Sequence, residues 1–566
     1  MRGGGGNQPP TGYLGELIQD RSGQEVATVL RDYQEFAAAA AADVLVPARL
    51  QGESLRLADL LAALSLTTDL GMGLLPETGL RVCLLATRLA RRVGLSEREV
   101  SDVYFAALLR FVGCTSYAHE EALLFGGDDI ALRRGGARTD FADPRQVLAL
   151  MASALPEDVS VLTRAGLVLG RLARASSLTA DLAASHCEVA SSVAHRLGLA
   201  VSVQQGLGQM FERWDGKGGP RKLRGEQMGR SVRCIHVAHA AVLFEREAGP
   251  DAARHVIRRR AGKALDPTLA DAFVQHGIRL LQEMDGEDVW AAVLEAESEQ
   301  RKLIAPTELD AVARTFAEVV DLKVPFTRTH SPSVASLAER AARSLGCTET
   351  EAITLRRAAL LHDLGRVGIP NGIWEKAGPL TTSEWERVRL HPYHTERILA
   401  RSPMLAPLVG IAGMHHERQD GSGYHRQSAG TAISLLARVL AAADVYQALT
   451  DERPYRSARA PEVAAHELAA EAARGRLDGD AVRAILTVAG QPVRPSRREG
   501  PRGLTEREVE VLKLVARGCS TQEVGRRLVI SAKTADHHVQ HIYAKIGVST
   551  RAAAALFAMQ HDLLVP

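Results

Sequence analysis

At roughly 150 residues per domain, a chain of 566 residues is long enough for three to four folded units, so a single enzyme domain would leave most of it unexplained. Hydrophobic and charged fractions of 46% and 24% are those of ordinary soluble globular protein, and a net charge of +2 points neither toward nor away from a polyanionic partner. The six cysteines form no C-x-x-C pair and no run of about 18 uncharged apolar residues occurs, which excludes a disulfide framework, a zinc knuckle and a membrane span. A cytoplasmic protein with buried thiols is expected.

Residues 1–49 begin MRGGGGNQPP and pass through an Ala run at 37–42, which reads as a flexible tail and a lead-in helix. From about 50 to 490 the pattern is repeatedly helical. "LRVCLLATRLARRVGL" and "VASLAERAARSLG" place apolar residues three and four apart, with Gly closing each run. Alternating β-branched runs are scarce, so the expected fold class is all-α.

Two phrases in this region match. "MFERWDGKGGP" at 210–220 and "HHERQDGSGYH" at 415–425 share Glu, Arg, Asp and two glycines, at an offset of 205 that also pairs Arg233 with Arg438 and His186 with His391. Upstream, "AALLRFVG" pairs with "AALLHDLG" at an offset of 252, so the earlier copy carries about 47 extra residues, placed around 114–160. The spacing predicts two related helical domains in tandem, at 50–300 and 301–490.

The later copy concentrates metal ligands. "LLHDLGRVGIP" sets His362 beside Asp363 at the end of an apolar helical run, and His330, His391, the pair His415 and His416, and Asp444 in "AAADVYQAL" add to it. Imidazoles with carboxylates suit borderline first-row metals, here two divalent transition-metal ions (Fe, Mn or Zn), because the ligands exceed what one ion needs. Two ions can activate water and hold phosphoryl oxygens during in-line attack.

Residues 310–490 resemble the HD-GYP family of metal phosphohydrolases, through His330, the His362-Asp363 doublet, His391-Pro392, "HHERQDGSGY" and "ADVYQALTDERPYR". The resemblance implies that Asp363 bridges two metals while His330, His362, His391, His415, His416 and Asp444 complete their shells. It implies cyclic di-GMP as substrate, contacted by Tyr424, Arg453 and Arg456, with Asp363 and Arg366 catalytic. The sequence departs from the family in three places. Arg366 replaces the usual Lys, His425 replaces the Pro of Gly-Tyr-Pro, and Phe326 replaces a carboxylate used for a third metal.

At the matching positions the first copy has Thr78, Arg110, Phe111, Met210, Phe211 and His239, and only His186 survives as a like ligand. Without the bridging carboxylate no binuclear centre can assemble, so 50–300 reads as a degenerate HD-type domain for packing, dimerisation or ligand sensing.

"GQPVRPSRREGPRG" reads as an exposed Pro/Arg linker, assigned to 491–502. After it, Thr505-x-x-Glu508 and Ser520-x-x-Glu523 are capping boxes, and Ser531 opens a longer helix with Ala535, Val539, Ile542 and Ile546 as its inward stripe. This is a helix-turn-helix pattern. Residues 503–566 resemble the four-helix LuxR-type DNA-binding domain through "LTEREVEVL", "RLVISAKT" and "KIGVSTRAAA". The resemblance places Lys533 and Thr534 on phosphates, and Asp536, His537 and Gln540 at base edges of double-stranded DNA; His538 faces inward. A homodimer on a two-fold site is the natural arrangement. The whole reads as a DNA-binding regulator with a metal phosphohydrolase domain; a non-catalytic nucleotide sensor and a hydrolase for another nucleotide are the rival readings.

Overall fold

The computed structural model describes residues 55–153, 161–298, 301–492, 501–561 and 563–564. The tail expected at 1–49 and most of the linker expected at 491–502 lie outside the described residues. Among them the fold is all-α, with one strand pair, β1 (Leu55–Arg56) antiparallel to β2 (Leu303–Ile304). All six cysteines are free, and Cys347 is only half-buried where full burial is expected.

The first copy runs through α1 (Leu57–Gly71), α2 (Thr78–Arg92), α3 (Glu97–Leu108), α4 (Ala118–Phe125), α5 (Asp129–Arg138), α6 (Pro144–Ser153), α7 (Val161–Arg196), α8 (Val201–Leu207), α9 (Arg230–Ala248), α10 (Pro250–Arg260), α11 (Pro267–Asp285) and α12 (Val289–Ala296). The second comprises α13 (Leu309–Asp321), α14 (His330–Ser344), α15 (Glu349–Leu361), α16 (Asn371–Trp374), α17 (Thr382–Arg389), α18 (His391–Leu399), α19 (Val409–Ala412), α20 (Leu435–Thr450), α21 (Pro461–Ala473) and α22 (Gly479–Val488). Helices α13, α14 and α15 begin 252 residues after α1, α2 and α3, and α20 begins 205 after α9. Helices α16 and α17 begin 253 residues after α4 and α5, so the extra residues of the first copy follow α5 and include α6 and the first part of α7, later in the chain than the 114–160 expected.

The repeated phrase shapes a loop in both copies. Glu212 accepts from the backbone N–H groups of Arg221 and Leu223 at 2.6 and 2.9 Å; Glu417 accepts from those of Arg426 and Ser428 at 2.7 and 2.8 Å. A Cβ on Gly218 or Gly423 would lie about 2.5 Å from the backbone at the loop's start, so only glycine fits there. Arg233 reaches Asp266, the N-cap of α11, as Arg438 reaches Asp478, the N-cap of α22. These residues survive in the copy without metal ligands because the loop and its anchors are needed for packing.

The two copies do not separate at 300/301. One compact unit extends to Gln491 and a second begins at Pro492. Inside the first unit, a Cβ on Gly368 would meet the side chain of Leu70 at 2.6 Å, and the N–H of Gly372 donates to the Gly127 carbonyl at 2.8 Å. Between the copies lies a buried charge network. Lys323 Nζ reaches Asp129 Oδ2 at 2.7 Å, Arg133 reaches Asp129 at 3.2 Å and Glu121 at 2.5 Å, and the Asn371 N–H donates to Asp129 Oδ1 at 2.7 Å. Extensive buried complementarity makes one unit where the sequence period suggests two.

The second unit holds α23 (Glu506–Ala516), α24 (Thr521–Leu528), α25 (Ala532–Ile546) and α26 (Arg551–Gln560). Both expected capping boxes form, and Ala535, Val539, Ile542 and Ile546 are buried with Val511, Leu512, Val515 and Val524. Lys545 Nζ reaches Glu508 Oε2 at 2.7 Å. Burial opposes the Glu508 charge, but Lys545 and the Thr505 N–H outweigh it and hold the carboxyl below its usual 4.5. A depressed folded value means that this stabilisation is present above the unfolded value and is lost as pH falls through the folded one. Glu508→Gln is therefore expected to lower the unit's stability by about 1–2 kcal/mol at pH 7. In chemical unfolding followed across pH, the gap from wild type should close below about pH 4. An unchanged gap at low pH would refute the ionic account.

Candidate metal centre

Helix ends bring the ligands together. His330 opens α14, His362 follows the last residue of α15, and Asp363 begins the tight turn after it. His391 opens α18, His415 and His416 lie just beyond α19, and Asp444 projects from within α20. Terminal positions matter because adjacent residues mid-helix diverge by about 100°.

All the expected ligands converge. Two ligand triads form, His391 with His415 and His416, and His330 with His362 and Asp444; Asp363 lies with His362 and His415 between them. Asp363 Oδ1 is 3.4 Å from His391 Nε2 and 3.7 Å from His415 Nε2, while Oδ2 is 3.4 Å from His362 Nε2. Asp363 thus faces both triads, and Asp444 Oδ2 also approaches the first, 3.7 Å from His416 Nδ1.

His362, His391 and His415 each donate Nδ1–H at 2.6 Å to the carbonyl three residues earlier, of Ala359, Val388 and Ala412. Carbonyls only accept, so in its neutral form each ring carries a lone pair on Nε2; for His362 burial opposes the charge, but Asp363 at 3.4 Å outweighs it and raises that ring above its ordinary value. His391 Nε2 and His415 Nε2 then face each other at 3.2 Å, and buried His362 Nε2 has no hydrogen-bond partner among the described residues. Facing lone pairs repel, and a cation between them resolves the repulsion. The residues present therefore fit a metal group.

The electrostatics agree with this fit. Burial lowers His391 to about 4 and His415 to about 3, leaving both neutral, and drives His416 well below its ordinary value. Burial opposes the charges of Asp363 and Asp444, yet the cation Arg366 beside the one and the protonated His330 beside the other hold both carboxyls well below the usual range. His330 differs. Burial pulls it down, but Asp444 at 3.1 Å and Asp451 at 2.9 Å outweigh burial and raise it to about 9.

Around this centre, Arg366 donates to Asp363 Oδ2 at 2.7 Å and lies 4.5 Å above the Trp374 ring. Tyr424 leans on the His416 ring at 4.7 Å, and Arg453 lies 5.0 Å over Phe326, so the residue replacing the third-metal carboxylate supports an arginine. Arg456, expected to grip the dinucleotide, is placed differently. Its guanidinium donates to carbonyls at the end of α20 and just after it, those of Ala448, Leu449 and Asp451, and to that of Ser457. Sequence reasoning missed Asp451 and Trp374. Asp451 had a signal: it lies seven residues, two helical turns, after Asp444. His425 pairs with Glu396 at 3.2 Å, away from the ligand triads.

In the first copy, Arg110, Phe111, His186, Met210, Phe211 and His239 gather at the matching place. No group of three metal-ligand side chains lies close together there among the described residues. In the second unit, Lys533, Thr534, Asp536, His537 and Gln540 are all exposed on α25, opposite its buried stripe, and His538 is half-buried. His541, which sequence reasoning missed, shares this face, its ring 4.2 Å from that of His537.

The HD domain family matches residues 314–481, and the family of bacterial regulatory proteins of the luxR type matches 502–558. Among curated proteins, the chain is similar to 3'3'-cGAMP-specific phosphodiesterase 3 of Vibrio cholerae serotype O1, 32% identical over 71% of this chain and 88% of that one. It is also similar to the cyclic di-GMP phosphodiesterase of Thermotoga maritima, 36% identical over 31% of this chain and 47% of that one. Among solved structures, a cyclic GMP-AMP specific phosphodiesterase of V. cholerae matches with TM-score 0.54 and 27% identity, covering 78% of this chain and 99% of that one. Among the described residues no helix is long and apolar enough to cross a membrane.

Proposed function

The chain belongs to the HD-GYP family of HD-domain proteins and carries a luxR-type DNA-binding domain, and from this membership we propose that it is a DNA-binding regulator that hydrolyses a cyclic dinucleotide. The observation that supports hydrolysis best is the pair of ligand triads sharing Asp363, with His391 and His415 presenting facing lone pairs. Two divalent transition-metal ions, iron, manganese or zinc, would be held by His330, His362, Asp363, His391, His415, His416 and Asp444. When bound they supply Lewis acidity and an activated water for attack at phosphorus.

The chain's own groups do the rest. Asp451 holds the His330 ring through Nδ1, leaving Nε2 directed at the centre. Arg366 presents a planar fork beside the Asp363 carboxylate, where it would stabilise charge developing on phosphoryl oxygens. Tyr424 and Arg453 line the approach for a base and a second phosphate, while Arg456 braces the end of α20 that carries Asp451 and leads into Arg453.

Two rival readings differ in turnover and in substrate: a nucleotide sensor without catalysis, and a hydrolase for another nucleotide. The relative matching through both copies is named for 3'3'-cGAMP and a shorter match for cyclic di-GMP, so both belong in the test. Anaerobically purified, Fe- or Mn-loaded protein is incubated with each, and linear dinucleotide and mononucleotide products are resolved by chromatography. Product from either supports the hydrolase; ligand binding with no product from a fully metallated protein favours the sensor.

We also propose that the second unit binds DNA as a homodimer, through the exposed face of α25. Gln540→Ala should change preference among base pairs by about 1–3 kcal/mol at the position it reads. Lys533→Ala should weaken all sequences alike and reduce the salt slope by about one. A mobility-shift series over operator variants and salt concentrations separates the two, and the reverse pattern would refute the docking.

A further inference from the structure

The centre of the first copy is not inert packing. Arg110 stands where the second copy has His362, and its guanidinium finds no carboxylate among the described residues: Nη1 reaches Met210 Sδ at 3.8 Å, the guanidinium lies 5.2 Å over the Phe111 ring, and buried Nε has no partner. Around it are three imidazoles. His186 is 4% exposed with neither ring nitrogen partnered, His239 is 7% exposed with Nε2 unpartnered, and His236 Nε2 lies 3.1 Å from the Met210 carbonyl. Burial first, and then the Arg110 charge, lowers His186 and His236 to about 3, so the rings are neutral and each carries one N–H.

An uncompensated, largely buried cation beside unpaired ring nitrogens is costly unless something answers it. A metal ion is the wrong answer. Phe111, Met210 and Phe211 occupy the places of Asp363, His415 and His416, and a resident guanidinium repels cations. A compact oxyanion is the right one, because a guanidinium fork and imidazole N–H groups donate to phosphoryl or carboxylate oxygens. Access is available, since Arg110 is partly exposed and Phe211 is 37% exposed.

We propose that the first copy is an anion receptor that holds a phosphate group on Arg110, assisted by His186 and His239. The guanidinium stands in for the positive charge that metal ions would supply at the matching place in the second copy. Inorganic phosphate and the 5'-phosphate of a mononucleotide share this chemistry.

The test uses full-length, chelator-treated protein in equilibrium dialysis with labelled inorganic phosphate and, separately, with GMP, at constant ionic strength in chloride. Wild type should take up one equivalent more of at least one probe than Arg110→Met. Near ten times its Kd that probe should raise the Tm of wild type by about 2 degrees and leave the variant unmoved. In plain chloride Arg110→Met should be at least as stable as wild type, since it removes an unanswered charge. Equal uptake by both proteins overturns the proposal, as does absence of uptake by wild type or a variant less stable in chloride whose probe response is unchanged. If Arg110→Met does not fold, His186→Phe, whose ring would pack on Phe211, is read by the same uptake; retention of the full equivalent overturns the proposal.

Discussion

Replacing Asp363 by alanine is expected to lower the proposed cyclic dinucleotide hydrolysis by at least about 10^3-fold. Asp363 faces both ligand triads with its two oxygens, Oδ1 toward His391 and His415 and Oδ2 toward His362. Without it His391 and His415 lose the carboxylate they face, and Arg366 loses the partner it holds at 2.7 Å. Metal content measured on the same preparation should fall below that of wild type, and single-turnover kinetics should place the loss in the chemical step. A variant that keeps its full metal content and its rate would remove Asp363 from the bridging role. Folding is checked by circular dichroism, which the substitution should leave unchanged because the helix-end carbonyls still hold the three imidazoles.

The second large effect lies between the copies. Asp129→Ala is expected to destabilise the first unit by about 3–5 kcal/mol. Burial pulls both members of the Asp129–Lys323 pair toward neutrality; two cations share Asp129 and keep its carboxyl low, whereas the single carboxylate partner of Lys323 leaves its ammonium below the ordinary value. Removing Asp129 strands Lys323, which is 2% exposed, leaves Arg133 with Glu121 and the Gly71 carbonyl, and frees the Asn371 N–H. Asn371 follows the turn that carries Arg366, so the loss should reach the metal centre as a lower rate. The double variant Asp129→Leu with Lys323→Met should recover part of the stability, because an apolar pair of similar volume carries no desolvation cost. Urea unfolding of the two single variants and the double checks this, and additive losses would deny that the pair acts as a pair.

The sequence made the metal ligands legible because each stands in a local phrase: a doublet after an apolar run, a paired His before a glycine turn, an Asp inside an Ala-rich helix. It also identified the silent copy, since one glance at Arg110 and Phe111 shows that the bridging acid is gone. The inward stripe of α25 and its two preceding capping boxes came from the same kind of short-range pattern, and the structure places all of them as expected. Arg456 shows where such reading stops. Its spacing resembles a substrate contact, but the chain folds its guanidinium onto the carbonyls ending α20.

What the sequence by itself determined is therefore the inventory: all-α architecture, a repeated helical frame, one copy rich in ligands and one without, and a helix-turn-helix pattern at the end. Periodicity, caps and motif phrases act within a few residues, and these features need nothing more. Only the tertiary structure decided that the two copies form one unit, that the ligands divide into two triads around Asp363, and that Arg110 lies near the unpartnered ring nitrogens of His186 and His239 with no acid to meet it among the described residues. Those outcomes depend on which distant side chains share a low-dielectric interior, and burial there sets both the partners a charge can find and the cost of finding none.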